Sequence, residues 1–180
     1  IYITLGIDKP YRENGLFGFA FTYGKDDIGV GNLGSGIESK NLSLNIYNSN
    51  LINKNLPLET QIGFGKMDIS TKRIDNSIVH KGDRDVYMIF GSTKILAKPI
   101  NFNNFRLTPY GKLDLGHINF NEFSESGSSL ALTFKDQIIN RRMISLGLDV
   151  DKDVNIQNWT LKPFWAVSYT HLTLPTNGLV

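Results

Sequence analysis

The stretch Leu16-Phe-Gly-Phe-Ala-Phe-Thr-Tyr23 decides the fold class, because large and small side chains alternate along it with a period of two. One parity carries only aromatic rings, and after Leu16 the other carries only glycine, alanine and threonine. Successive side chains of a β-strand point to opposite faces of the sheet. The stretch therefore predicts a strand with one bulky apolar face and one face of small residues.

Four further stretches repeat this alternation: Asn41–Tyr47, Leu56–Gly65, Ile144–Val150 and Trp159–Trp165. Their second face carries glycine, serine, threonine, asparagine and charged residues, with almost no apolar bulk. No stretch shows a sustained helical period of apolar residues. An apolar face that alternates with a polar one, repeated along the chain, is typical of strands with lipid on one side and a wet lumen on the other. The sequence therefore predicts an all-β protein, an antiparallel transmembrane β-barrel.

Parity assigns two sets of side chains to the two faces of this barrel. The set expected to face lipid is Phe17, Phe19, Phe21, Leu42, Leu44, Ile46, Ile62, Phe64, Ile144, Leu146, Leu148, Trp159 and Trp165. The set expected to face the lumen is Ser43, Asn45, Glu59, Gln61, Tyr110, Lys112, Asp114, Ser145, Asp149 and Lys162. Charge that faces lipid is costly, so the charged members belong in a wet interior, where they are expected to form structural salt bridges.

The pattern predicts about eight strands and an alternation of longer and shorter connections. The strands are expected near residues 1–8, 15–25, 37–48, 56–70, 81–96, 104–120, 130–150 and 157–166. The longer polar connections are Lys25–Gly36, Thr71–Lys81 and Asn121–Ser129, and the shorter ones are Lys9–Asn14, Ser49–Asn55, Ala97–Asn103 and Asp151–Gln157. Outer-membrane barrels have long extracellular loops and short periplasmic turns, so the longer set is expected outside the cell.

Two predicted strands resist simple alternation. Val86–Ile95 has apolar residues on both parities, and the apolar parity changes after Gly116, where Ile118 and Phe120 take the opposite face. A β-bulge shifts parity in this way, and so does a strand that leaves the bilayer. The sequence leaves both explanations of the change after Gly116 open.

Composition bears on several functions. The chain has no cysteine, so disulfides and cysteine–metal chemistry are excluded. The net charge is only +2 and the basic residues are scattered, so no nucleic-acid partner is expected. No metal-ligand spacing and no Gly-x-Ser-x-Gly elbow is present, so no catalytic residue, metal or cofactor is assigned. His80 is expected to be solvated in a charged loop, and His117 to lie at an interface near a strand end.

An ordered set of short motifs resembles the β-domain of the autotransporters, the proteins of type V secretion. The family carries a strand Leu-x-Pro-Tyr-x-x-Leu, then Phe-x-Glu-x-Gly, then Ala-Leu. The matching residues here are Leu107, Pro109, Tyr110 and Leu113, then Phe123, Glu125 and Gly127, then Ala131 and Leu132. Trp159-Thr-Leu-Lys-Pro-Phe-Trp165 resembles a second strand start of the family, with Phe164 in place of its tyrosine.

The resemblance implies a twelve-stranded barrel in the bacterial outer membrane that serves the export of an N-terminal passenger and is not an enzyme. It implies three partners: outer-membrane lipid, the chain's own passenger domain and the barrel-assembly machinery. A different function stays open, that of a small complete eight-stranded barrel acting as an adhesin or binding protein. A soluble lectin-like β-sandwich is a third alternative.

The stretch Val167-Ser-Tyr-Thr-His-Leu-Thr-Leu-Pro-Thr176 resembles a translated adapter of the kind used in short-read DNA sequencing. We therefore expect residues 1–166 to be a partial barrel domain and residues 167–180 to be a non-native tail. The chain starts at Ile1 rather than methionine, which adds to the expectation of a fragment. The alternative for residues 167–176 is a native strand followed by a proline turn.

Overall fold

The fold is described from a computed structural model, which defines residues 1–11, 15–53, 56–156 and 159–173. In chain order the strands are β1 Tyr2–Tyr11, β2 Gly15–Val30, β3 Ser35–Asn53, β4 Leu56–Asp75, β5 Ile78–Leu96, β6 Ile100–Phe102, β7 Phe105–Phe120, β8 Phe123–Ser124, β9 Thr133–Phe134, β10 Gln137–Asp151, β11 Val154–Ile156, β12 Trp159–Leu161 and β13 Phe164–Thr173. Within these residues there is no helix long and apolar enough to cross a membrane.

One antiparallel sheet contains the principal strands in the order β1-β2-β3-β4-β5-β7-β10-β13, with the short β6 also paired to β7. Two small ribbons, β8–β9 and β11–β12, lie outside it. Every neighbouring pair is antiparallel, and sequential strands are adjacent except where the short β6 or a ribbon intervenes. The predicted all-β antiparallel fold, with about eight principal strands, is confirmed.

The register places the apolar parity of each strand on one face of the sheet. Phe21 pairs with Leu44, Leu44 with Phe64, and Phe64 with Ile89, so four large apolar side chains lie side by side across β2 to β5. All four are exposed on what we term the outer face. The opposite face, termed the inner face, carries the polar parity.

Two of the three predicted long loops are wrong, because the strands continue through them. β2 and β3 meet at a turn over residues 31–34, and β4 and β5 meet at Asn76–Ser77. Both central residues of the second turn have positive φ, as in a type I′ hairpin. β4 has 20 residues, whereas a membrane-spanning strand needs about 9–11. Charged residues occupy both faces of these extensions, so the alternation of apolar and polar side chains that predicted the other strands is absent there.

The strands predicted at 130–150 and 157–166 also differ from the structure. β10 begins only at Gln137, and residues 121–136 form a separate hairpin. Trp159 lies in the β11–β12 ribbon, and residues 162–163, which belong to no strand, separate β12 from β13. The parity argument that joined Trp159, Lys162 and Trp165 in one strand is therefore wrong.

β13 continues through Thr173 and pairs with β10 from Asp151↔Phe164 to Arg142↔Thr173. Residues 167–173 are therefore part of the sheet, while residues 174–180 lie outside the described part of the chain. Alternating side chains form a strand whether the segment is native or foreign. The foreign origin of residues 167–180 stays a prediction.

The two irregular stretches have different explanations. β7 keeps one register with β10 from Arg106 to Phe120, so no bulge separates Gly116 from Ile118. Ile118 and Phe120 lie on the inner face because this end of the strand extends beyond the outer apolar band. In β5, the apolar inner residues Met88 and Phe90 lie over the cross-strand glycines Gly65 and Gly63.

Candidate functional site

Aromatic rings cover glycines on the inner face of the sheet. Tyr47 lies over Gly18, Phe90 over Gly63 and Tyr110 over Gly147, and each pair is directly opposed across two strands. A Cβ added at any of these glycines would collide with the ring. Rings that cover glycines in this way restore packing that a bare glycine strand lacks.

At two of these rings, a side chain also links strands that are not neighbours. The Tyr47 hydroxyl reaches over β2 and donates to Oδ2 of Asp8 on β1 at 3.1 Å. Lys94 on β5 reaches over the Tyr110 ring, with Nζ 4.1 Å from its centroid, to Oδ2 of Asp149 on β10 at 2.7 Å. These inner side chains therefore tie three adjacent strands together at each place.

Ion pairs account for most of the charge on this part of the inner face. Lys112 Nζ lies 2.8 Å from Oδ1 of Asp114, both on β7. Arg106 makes a two-pronged contact with Asp151, with Nε–Oδ2 at 3.0 Å and Nη2–Oδ1 at 2.6 Å. Lys112, Asp114 and Asp149 thus form salt bridges, as the sequence analysis expected of lumen charges.

The structure separates most of the predicted residues by face. The apolar set from Phe17 to Leu148 and Trp165 lies on the outer face, whereas the side chain of Trp159 lies outside the described part. The polar set from Ser43 to Asp149 lies on the inner face, with Ser43 and Ser145 buried and Glu59 and Gln61 exposed. Lys162 belongs to neither face of the sheet, and its Nζ pairs with Asp153 at 3.4 Å near the ribbon.

The hairpin of residues 121–136, termed the folded hairpin, packs against the inner face of β5. Its two short strands are joined by stacked rings of Phe123 and Phe134, whose centroids are 4.7 Å apart. Phe123 also covers Gly82 of β5. Ser126 and Lys81 exchange two backbone hydrogen bonds of 2.7 and 3.0 Å. The third predicted long loop is therefore a docked element.

Glu125, from the Phe-x-Glu-x-Gly motif, anchors the tip of the folded hairpin. Its carboxylate accepts from Arg73 of β4 at two points, Nε–Oε1 at 3.1 Å and Nη2–Oε2 at 2.6 Å. The Leu132 N–H donates to the same carboxylate at 3.0 Å. The Arg73 hydrogen bonds, and then the one from Leu132, lower the pKa of Glu125 to about 2. Only 5% of this side chain is exposed.

Arg84 of β5 holds the base of the folded hairpin. Its Nε donates to the Asn121 carbonyl at 2.6 Å, and its Nη2 donates to the carbonyls of Phe120 and Lys135 at 3.3 and 3.1 Å. The guanidinium also lies over the ring of Phe123. Carbonyls on both sides of the hairpin base thus share one cation.

Gly127 and His80 form the closest contact of the folded hairpin with the sheet. Gly127 has φ +134°, and a Cβ there would collide with the Val79 carbonyl. His80 is fully buried on β5, so the expectation of a solvated loop histidine is wrong. Neither ring nitrogen of His80 has a hydrogen-bond partner within the described residues.

Sequence reasoning gave no role to Arg73 and Arg84 and expected His80 to be solvated. All three lie in stretches where charged residues occupy both parities, and two of them lie in a predicted loop. The hydrogen-bond partners of the two arginines are far along the chain, and Arg73 and Glu125 are 52 positions apart. These three residues lie on the same inner face as Gly82, which can be recognised only once β4 and β5 are known to continue to the turn at Asn76–Ser77.

The folded hairpin is expected to stay docked at about pH 4 and to loosen as the pH falls toward 2. The docked state lowers the pKa of Glu125 from 4.5 to about 2, so the contribution of its carboxylate is present above 4.5 and lost as the pH falls through that lower value. A fluorophore on a cysteine introduced at Ser128 would report docking, because the chain has no other cysteine. Glu125→Gln should remove the acid transition, and Glu122→Gln should keep it. A wild-type transition centred near pH 4.5 would contradict this account.

An antiparallel sheet with an apolar outer face and a polar, ion-paired inner face defines the class of outer-membrane β-barrels. The sequence matches the autotransporter β-domain over residues 2–178, and the chain belongs to that family. Family membership places it in the bacterial outer membrane and in a family of secretion barrels, not of enzymes.

The fold is similar to that of the translocator domain of the autotransporter NalP from Neisseria meningitidis. The TM-score is 0.77 with 15% sequence identity, and the match covers 98% of this chain and 63% of that chain. The chain thus spans less than two thirds of the NalP chain. Comparison with curated proteins by sequence found no match.

Proposed function

We propose that this chain forms part of an outer-membrane translocator barrel that serves the export of its own passenger domain. The family match over residues 2–178 carries the proposal. The faces of the sheet supply its physical support, because the inner face offers a polar, ion-paired surface and the outer face an apolar one. Because the family consists of barrels that serve export, the translocator function is favoured over that of a small adhesin-like barrel.

The outer face also indicates where the bilayer lies. Above Phe21 of β2 and Ile89 of β5, toward the long hairpins, the next outer positions are Tyr23 and Tyr87, both exposed. Tyrosine favours membrane interfaces. The next outer residue of β2 after Tyr23 is Lys25, which forms an ion pair with Glu38 of β3 at 2.8 Å. Such an exposed ion pair suits water and not hydrocarbon. We therefore place the long hairpins and the folded hairpin at the extracellular end.

We propose three partners, of which the barrel-assembly machinery is implied by the family resemblance alone. Outer-membrane lipid covers the apolar band, the passenger passes or contacts the inner face, and the barrel-assembly machinery inserts the strands. The inner face along β7 and β10 is the surface we assign to the passenger, because the ion pairs Lys94–Asp149 and Lys112–Asp114 give it a polar character.

Site-specific photocrosslinking in the intact protein tests the function. A photoreactive residue at Lys112, on the inner face of β7, is expected to crosslink an epitope-tagged passenger stalled during export. The matched control at the next residue, Leu113, is on the outer face and should label lipid instead. Crosslinks of the passenger at both positions, or at neither, would refute the proposal, as would surface display of the passenger in cells that lack this chain.

A further inference from the structure

A depression of about 610 Å3 lies on the inner face of the sheet and extends from β4 to β13. Its lining includes Glu59 and Gln61 of β4, Lys94 of β5, Lys112 of β7 and Asp149 of β10. The depression therefore adjoins the surface along β7 and β10 that we assign to the passenger and continues that surface to β4. Its charged side chains determine which partner it fits.

Both lysines that line the depression have a carboxylate partner. Lys94 Nζ lies 2.7 Å from Oδ2 of Asp149 and 4.1 Å from the ring centroid of Tyr110. Lys112 Nζ lies 2.8 Å from Oδ1 of Asp114. An acidic ligand would have to displace one of these carboxylates to reach a lysine. The depression is therefore poorly suited to an anion.

Glu59 differs from the other charged residues of the lining. Its side chain is exposed, and within the described residues its carboxylate has no ion pair or hydrogen bond. Register places Glu59 directly opposite Lys94, but Lys94 pairs with Asp149 instead. The remaining carboxylate of the lining, Asp151, is held by Arg106 at 2.6 Å. Glu59 thus adds a negative charge that no cation of the described part of the chain contacts.

The free carboxylate of Glu59 fits a basic side chain. An anionic group in a concave surface attracts cations and raises their local concentration. Calcium and magnesium ions take about six or more oxygen ligands, which one carboxylate does not provide. A lysine ammonium or an arginine guanidinium needs only one carboxylate for a charge-assisted hydrogen bond. Charge complementarity and continuity with the passenger surface therefore point to a basic segment of polypeptide.

We propose that Glu59 pairs with lysine or arginine side chains of the passenger, so that the inner face retains a basic segment of the passenger longer than a neutral or acidic one. The proposal rests on the proposed function, because it requires the passenger to lie against the inner face. It goes beyond that function by naming a residue that contacts the passenger and the charge that this residue selects.

Passenger segments of different charge test this selection in the intact protein. The segment that lies in the barrel when export is stalled is replaced by a tagged glycine–serine tract that carries several lysines, several glutamines or several glutamates. A photoreactive residue at Gln61, the next inner position of β4, reports contact with the tract. The lysine tract is expected to crosslink about threefold more than the glutamine tract, the gain from one exposed ion pair. The glutamate tract should crosslink less than either.

Variants of Glu59 and one matched control assign the preference to this carboxylate. Glu59→Gln should abolish the preference, because the amide keeps the shape of the side chain and removes its charge. Glu59→Lys should reverse it in favour of the glutamate tract. Glu38→Gln removes a carboxylate that pairs with Lys25 on the outer face and should behave as wild type does. A lysine preference that persists in Glu59→Gln, or that is lost equally in Glu38→Gln, would overturn the proposal.

The comparison of the three tracts in wild type decides even if a variant fails to fold, which heat-modifiable migration on gels would reveal. Equal crosslinking of the lysine and glutamate tracts in wild type would overturn the role of Glu59. Crosslinking of the passenger at Lys112 would persist in that case, because it requires only that the passenger lies against the inner face. Failure of this proposal is thus distinguishable from failure of the translocator function.

Discussion

Replacing Gly127 by alanine is expected to release the folded hairpin from the sheet. At φ +134° a side-chain-bearing residue is strained by roughly 1–3 kcal/mol. The new methyl group would also collide with the Val79 carbonyl, and a backbone atom of β5 cannot move aside as a flexible side chain can. Both effects act only on the docked geometry, so docking should weaken while the sheet persists.

Protease sensitivity of residues 121–136 measures this release. The variant should be cut in this segment much faster than wild type, at equal resistance of the remaining strands. Gly29→Ala is the matched control, because a Cβ at that glycine meets nothing within 4 Å. Unchanged protection of the hairpin in the Gly127 variant would show that its docking does not depend on this close approach.

Replacing Leu44 by arginine is expected to cost roughly 2–4 kcal/mol of folding free energy in a bilayer, if the residue lies near the midplane. Leu44 is exposed on the outer face between Phe21 and Phe64, in the middle of the apolar row. The two residues directly opposite Leu44, Phe21 and Phe64, offer a guanidinium no polar group, so in the proposed orientation it is expected to face hydrocarbon.

Urea unfolding of the intact protein from lipid vesicles gives this free energy. Gln61→Arg is the control, because Gln61 is also exposed but lies on the inner face of β4. It should cost much less. Equal costs at the two positions would refute the assignment of the faces to lipid and lumen.

Alternation predicted the sheet where one face is apolar and failed where both faces are polar. Leu16–Tyr23 reads as a strand because its aromatic parity is uninterrupted, and the structure continues that strand to Val30. From Thr71 to Asp75 both parities carry charge, so the pattern indicates a loop, although hydrogen bonds to β3 and β5 maintain the strand there. Strand length here is determined by hydrogen bonding to the neighbouring strands, which the alternation of side chains along one strand does not reveal.

The candidate site was predictable only in part. The Phe-x-Glu-x-Gly motif identified Phe123, Glu125 and Gly127, but the sequence gives no sign that they fold onto β5. Arg73 and Arg84 take their roles from a hairpin far along the chain, and single-sequence patterns contain no information on such long-range partners. Inner charges near Lys112 were predictable because lipid excludes the alternative face.

The ring-covered glycines bear on errors of strand pairing. If β3 slipped by one residue against β2, every side chain of β3 would exchange faces. Tyr47 would then lose both Gly18 and its bond to Asp8, and a bare glycine would be left without cover. Because Phe90 and Tyr110 repeat the arrangement on β5 and β7, a mispaired strand loses packing at several separate places during assembly. The ring-covered glycines thus favour one strand register over registers shifted by one residue.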